Sequence, residues 1–177
     1  MKADHPNPMD PLTEERENGI CSSFLRKLSL TRDREKRLRV IKAYVRLNTP
    51  WAERLLVEAL ADPCEIIRDF LVQELAHRER FNLSLACARM LHPPWYAKSA
   101  LLRVLGMRKA GTALRAIEIV LDDPNTDVRK SAAETLGEIG GREAIRLLVR
   151  LSKDKNQYVR AAAEEAIRKA SDLRFSG

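Results

Sequence analysis

The sequence predicts an all-α protein, an α-solenoid of paired short helices, and three observations carry that prediction. One apolar helical stripe returns every 30 or 31 residues, prolines and glycines fall between the stripes, and the composition suits packed helices. Of 177 residues, 45% are hydrophobic and only 5% aromatic, a balance that favours close-packed helices with charged outer faces over a sheet.

The clearest self-similarity lies near the C-terminus, where residues 125–134 (NTDVRKSAAE) return 31 residues later as residues 156–165 (NQYVRAAAEE). One leucine-like position recurs as Ile167, Leu136, Leu105, Leu75 and Val45, at steps of 31, 31, 30 and 30. Its companions keep i, i+3, i+4, i+8 spacing, the stripe of an amphipathic helix.

In chain order, helices are expected over 13–29 and 34–47, where the basic residues cluster. The next is expected over 51–61, carrying Leu55 and Leu56 and stopped by Asp62-Pro63, since proline lacks the amide donor a helix needs. The stripe Ile67, Phe70, Leu71, Leu75 places one over 65–77. Leu85 and Ala86 place one over 82–91, ahead of Pro93-Pro94, and Ala97, Ala100, Leu101 and Leu105 one over 95–107. Ala116 and Ile117 mark 112–122, ended by Asp123-Pro124, and Val128, Ser131, Ala132 and Leu136 mark 126–138. Leu147 and Leu148 mark 142–152, and Val159, Ala162, Ala163 and Ile167 mark 157–170. Gly106, Gly137, Gly140 and Gly141 are read as stops for the first helices of pairs, where positive φ favours glycine. Leu75, Leu105, Leu136 and Ile167 should be equivalent and buried. The domain reading is a disordered tail over 1–11, the solenoid over 12–170 and a short polar tail over 171–177.

The string Asp-Val-Arg-x-x-Ala-Ala-x-x-Leu-Gly, carried by Asp127, Val128, Arg129, Ala132, Ala133, Leu136 and Gly137, resembles the signature of short HEAT-like repeats. These are the repeats first named for the phycobilisome (bilin) lyases. The likeness is strong from about residue 95 onward, recognisable over 50–94 and weak before that. The first unit has Arg37 where later units have an aliphatic residue. The resemblance implies a binding scaffold, and fold alone licenses no single activity.

The formal charge of +7 is local: nine basic residues between Arg26 and Arg46 face only Asp33 and Glu35, and 9 − 2 = +7. This segment, represented by Arg34, Arg37 and Arg39, is a candidate surface for an acidic protein, with nucleic acid less favoured because no aromatics alternate with the charges. Second helices resemble those lining the concave face of a solenoid. Matching positions there read Arg54, Ser84, Arg115 and Arg146, with Arg150 one turn on, and Trp51 and Phe81 at helix starts would be apolar anchors. The periodic cations Arg68, Lys98, Arg129 and Arg160 are expected to pair with the acidic turn of the previous unit, Asp62, Asp123 or Asp127, instead of binding a partner.

Cys21, Cys64 and Cys87 have no CxxC spacing, and His5, His77 and His92 are scattered, so no metal or cofactor is expected. Catalysis has no nucleophile arrangement or phosphate loop to support it. No apolar run approaches the ~18 residues of a membrane span, and 1–11 lacks the basic start and apolar stretch of a signal peptide, so a cytoplasmic protein is expected. The reading is a non-catalytic scaffold or regulatory adaptor. Its alternatives are a nucleic-acid-associated protein of the HEAT-like glycosylase type, for which Trp51, Trp95 and Asp69 could be assembled, or a tetrapyrrole binder of the bilin-lyase type. The last helix, through Tyr158, Val159, Ala162, Ala166 and Ile167, could mediate end-to-end self-association.

Overall fold

The computed structural model describes residues 11–175 apart from Asn48 and Pro93, with side chains described over 19–170. Of the tails expected at 1–11 and 171–177, residues 1–10 and 176–177 lie outside the described residues, while Pro11 and 171–175 are helical. Among the described residues all regular structure is helical: α1 (Pro11–Leu30), α2 (Arg34–Val45), α3 (Pro50–Ala59), α4 (Glu65–His77), α5 (Leu83–Arg89), α6 (Trp95–Met107), α7 (Leu114–Ile119), α8 (Thr126–Ile139), α9 (Gly141–Leu151) and α10 (Gln157–Phe175).

Two elements depart from expectation. The helix expected over 112–122 is α7 flanked by single 3-10 turns, Gly111–Ala113 and Val120–Asp122. Such turns tighten a helix end and give its orphan backbone groups i→i+3 partners, here Ala113 N–H to Ala110 C=O at 2.9 Å and Asp123 N–H to Val120 C=O at 3.1 Å. α10 continues to Phe175 instead of stopping at 170. Arg168 and Lys169 both pair with Glu165 one turn back, inside the expected span.

The chain divides into two compact units, Met1–Leu55 and Leu56–Gly177. In the first, Cys21 and Leu28 of α1, Ile41 of α2, and Ala52 and Leu55 of α3 are buried. An aromatic chain ties the three helices: Phe24 to Tyr44 at 4.4 Å between ring centroids, then Tyr44 to Trp51 at 5.7 Å, both edge-on. Asp33 caps α2, accepting from Glu35 N–H at 2.9 Å and Lys36 N–H at 3.2 Å. The bond from Lys36 N–H is the chief reason its carboxyl titrates below the ordinary range.

In the second unit the first helices of the pairs pack side by side in chain order, α4 on α6, α6 on α8, α8 on α10, while α9 packs against both α8 and α10 and α7 meets α9. This is the stacked-pair arrangement of a solenoid. Leu75, Leu105 and Leu136 are fully buried at equivalent places. Ile167 is only half-buried, because among the described residues α10 has helices against one side only.

Glycine plays two roles where one was expected. Gly140 and Gly141 do break the chain between α8 and α9, at φ +67° and +84°. Gly106 and Gly137 sit inside α6 and α8. A Cβ on Gly137 would lie 2.8 Å from Ala166 Cβ, so this glycine lets α8 and α10 approach, whereas one on Gly106 would meet Glu138 Cβ at an ordinary contact of 3.4 Å.

A ladder of arginines closes the turns. Arg68 Nη1 donates to the carbonyls of Asp62 (2.9 Å) and Pro63 (2.8 Å), Arg129 to Asp123 (2.9 Å) and Pro124 (3.4 Å), Arg160 to Asp154 (2.8 Å) and Lys155 (3.1 Å). Arg37 makes the same contact with Thr31 (2.8 Å) and Arg32 (3.1 Å). Arg37 is therefore a rung of the same kind, 31 residues before Arg68, while the fully buried Ile41 lies 30 residues before the equally buried Leu71.

The turn aspartates share a geometry of their own: Asp62, Asp123 and Asp154 accept from the backbone N–H two residues on, at 2.8, 2.9 and 2.8 Å. Asp154 also receives Arg129 through Nε–Oδ2 at 2.8 Å and Nη2–Oδ1 at 3.0 Å, and Asp123 receives Lys98 at 2.7 Å. Each of these pairs joins a first helix to the turn of the following pair. For Lys98 and Arg129 the acidic partner is thus the next turn's aspartate, while for Arg68, Arg129 and Arg160 the previous turn contributes carbonyls; Asp127 pairs with none of them.

Candidate functional site

The second helices of the larger unit, α5, α7 and α9, carry the residues that sequence periodicity aligned, and Ser84, Arg115 and Arg146 are all exposed, as is Arg150. Arg54, in the smaller unit, is exposed too.

The arginines differ in what they meet. Arg146 Nη2 lies 2.6 Å from Glu143 Oε1 and 3.2 Å from Glu118 Oε1, and its Nε lies 2.9 Å from Glu143 Oε1. The bond from Arg146 is the main reason the Glu143 carboxyl titrates low. Arg150 pairs with Asp122. So α9 reaches across to the acids of α7 and the turn after it, with partners 28 residues apart each time. Applying the same separation one pair earlier matches Arg115 with Cys87 and Ile119 with Leu91. The acids are missing there. Burial pushes the Cys87 thiol up, so it stays neutral and offers no anion. Arg115 has no hydrogen bond or ion pair among the described residues. Ile119, one turn along α7, is 61% exposed, and Leu91 is 50% exposed. Val149, one turn from Arg146, is exposed as well. Sequence reading missed these three, because aliphatic residues in a helical stripe look like core; the 28-residue cross-helix spacing is the signal that pairs Ile119 with Leu91.

The aromatic anchors are partly used inside the fold. Phe81 is half-buried with the Arg108 guanidinium 4.7 Å above its ring, and Arg108 Nη1 donates to the carbonyls of Leu75, Ala76 and Arg78, tying down the end of α4. Trp51 is half-buried against Tyr44. Trp95, not among the anchors expected, is 45% exposed.

In the basic segment, Arg34 and Arg39 are exposed, and Arg34 pairs with Glu35 at 3.0 Å. Arg37 departs from the expectation of a surface contact: it is 9% exposed, and its guanidinium caps a turn instead of facing solvent. On α10, Val159 and Ala166 are buried, Ala162 and Ile167 half-buried, and Tyr158 alone of the five residues named for self-association is exposed.

No three His, Cys, Asp or Glu side chains gather as a metal site among the described residues. Asp69, needed for a glycosylase-like reading, accepts from Arg103 Nη1 at 2.6 Å. No helix is long and apolar enough to cross a membrane among the described residues.

Residues 83–168 match the family model for HEAT repeats. No curated protein matches the chain.

Proposed function

Residues 83–168 belong to the HEAT repeats, and from that premise we propose that this chain is a non-catalytic interaction scaffold that receives a protein partner on its second-helix face. The partner presents a carboxylate flanked by apolar side chains. The observation that carries this reading is Arg115, exposed and without an acid, one turn from the exposed Ile119 on α7. A solvated arginine beside apolar surface matches the composition of contacts that dominate protein interfaces. Arg146 and Arg150 already hold acids, so they frame the contact and Arg115 supplies its charge.

A photo-crosslinking residue placed at Ile119, with a control at the exposed Glu164 of α10, tests the proposal in cells. Ile119 should yield a discrete protein adduct that disappears on Arg115→Glu and persists on Arg146→Glu. Adducts of equal yield from both positions, or an Ile119 adduct indifferent to Arg115→Glu, would remove this face from the function.

A further inference from the structure

We propose that the recess between α1 and α2 is a docking groove for an acidic amphipathic helix of a protein partner. This rests on the reading of the chain as an interaction scaffold, but it concerns residues of Met1–Leu55 alone.

The recess has a volume of about 650 Å³, within the range of sites that hold several side chains. Its apolar lining comes from Phe24 and Leu28, one turn apart on α1, and from Val40 and Ala43, one turn apart on α2. Two apolar stripes at helical spacing thus share a gap that no described residue fills, and Ala43 is too short to close it. Three exposed cations, Lys27, Lys36 and Arg39, line the same recess.

Described acids offset them only in part. Asp33 caps α2, lies 4.0 Å from Lys36 and attracts both Lys36 and Arg39, while Glu35 pairs with Arg34. Arg37 also lines the recess, buried with its guanidinium turned to the Thr31 and Arg32 carbonyls. The groove therefore asks for apolar side chains at i and i+3 or i+4 with carboxylates on either flank, which is one face of an acidic amphipathic helix. Nucleic acid fits worse: its phosphates would meet the three cations but would leave the apolar floor uncovered, and the Phe24 ring is already engaged by Tyr44 at 4.4 Å. A lipid surface fits worse too, since membranes take up protruding apolar faces, and these four side chains line a recess.

The experiment uses the full chain and a fluorescent synthetic helix with leucines on one face and glutamates beside them. Its controls are a scrambled peptide of the same composition and vesicles of phosphatidylserine and phosphatidylcholine. The helical peptide should bind and the scrambled one should bind at least about tenfold more weakly, a difference of about 1.4 kcal/mol. Lys36→Glu with Arg39→Glu should lower affinity by a similar factor, and so should Ala43→Phe, which fills the recess, with far-UV circular dichroism unchanged. Val40→Ser serves the same purpose if Ala43→Phe loses its helical signal. Charge reversal that abolishes binding while Ala43→Phe and Val40→Ser leave it intact would overturn the groove, as would equal binding of both peptides. Vesicle binding without peptide binding would assign the surface to lipid and overturn it as well. Arg115→Glu should leave peptide binding unchanged, so failure here and failure of the α7 contact are told apart.

Discussion

Arg129 and Arg115 are the same residue type on neighbouring helices with opposite surroundings. Arg129 is 3% exposed and donates two bonds to Asp154, whereas Arg115 is exposed and pairs with no acid among the described residues. A buried charge that loses its partner keeps its desolvation cost, so Asp154→Ala should destabilise the fold by about 3–5 kcal/mol, readable by urea titration. The same pair predicts a pH effect. The bond from Arg129, ahead of every other cause, holds the Asp154 carboxyl below its ordinary value. A lowered native pKa means the unfolded chain takes up the proton first. The stabilisation is therefore present above the ordinary aspartate value of about 3.9 and is lost as pH falls through the native value. The stability gap between the parent and Asp154→Asn should be widest near neutrality and shrink below about pH 4; a gap that widens with acid would contradict this. Arg115→Glu, by contrast, should leave stability nearly unchanged, since exposed charges contribute at most about 1 kcal/mol.

At the scale of helices, the close approaches decide which substitutions are tolerated. Alanine is a better helix former than glycine by up to about 1 kcal/mol. Gly19 in α1 has nothing near a Cβ, so Gly19→Ala should raise the melting temperature. Gly137→Ala should lower it, because a Cβ there would meet Ala166 Cβ at 2.8 Å and push α8 from α10. If both variants moved the same way, close packing of α8 on α10 would not be the reason for Gly137. Leu136, fully buried in α8, should cost about 2–5 kcal/mol on truncation to alanine, through lost burial plus the cavity left behind.

For the larger unit as a whole, stability should follow stacking, since each pair contacts only its neighbours. α6 and α8 have a first helix on either side and hold the densest run of buried residues, whereas α5 and α7 are only 7 and 6 residues long. Amide hydrogen exchange should accordingly be slowest in α6 and α8 and fast in α5 and α7. Fast exchange in α8 would mean that stacking is not what holds the unit together. The face proposed for a partner thus lies on the helices that open most easily.

Sequence alone determined the helical class, the placement of ten helices to within a few residues except in α7 and α10, and the burial of Leu75, Leu105 and Leu136. It could do so because helical periodicity and proline stops are local, written within a dozen residues. Only the tertiary structure decided what each cation meets: that Arg37 is a turn cap, that Arg146 and Arg150 are already matched, and that Arg115 is not. It also decided that Gly137 serves a helix contact instead of a helix end. These outcomes depend on groups 5 to 29 residues apart in sequence but about 3 Å apart in space, and no pattern along one helix records which of two identical arginines its neighbour will neutralise.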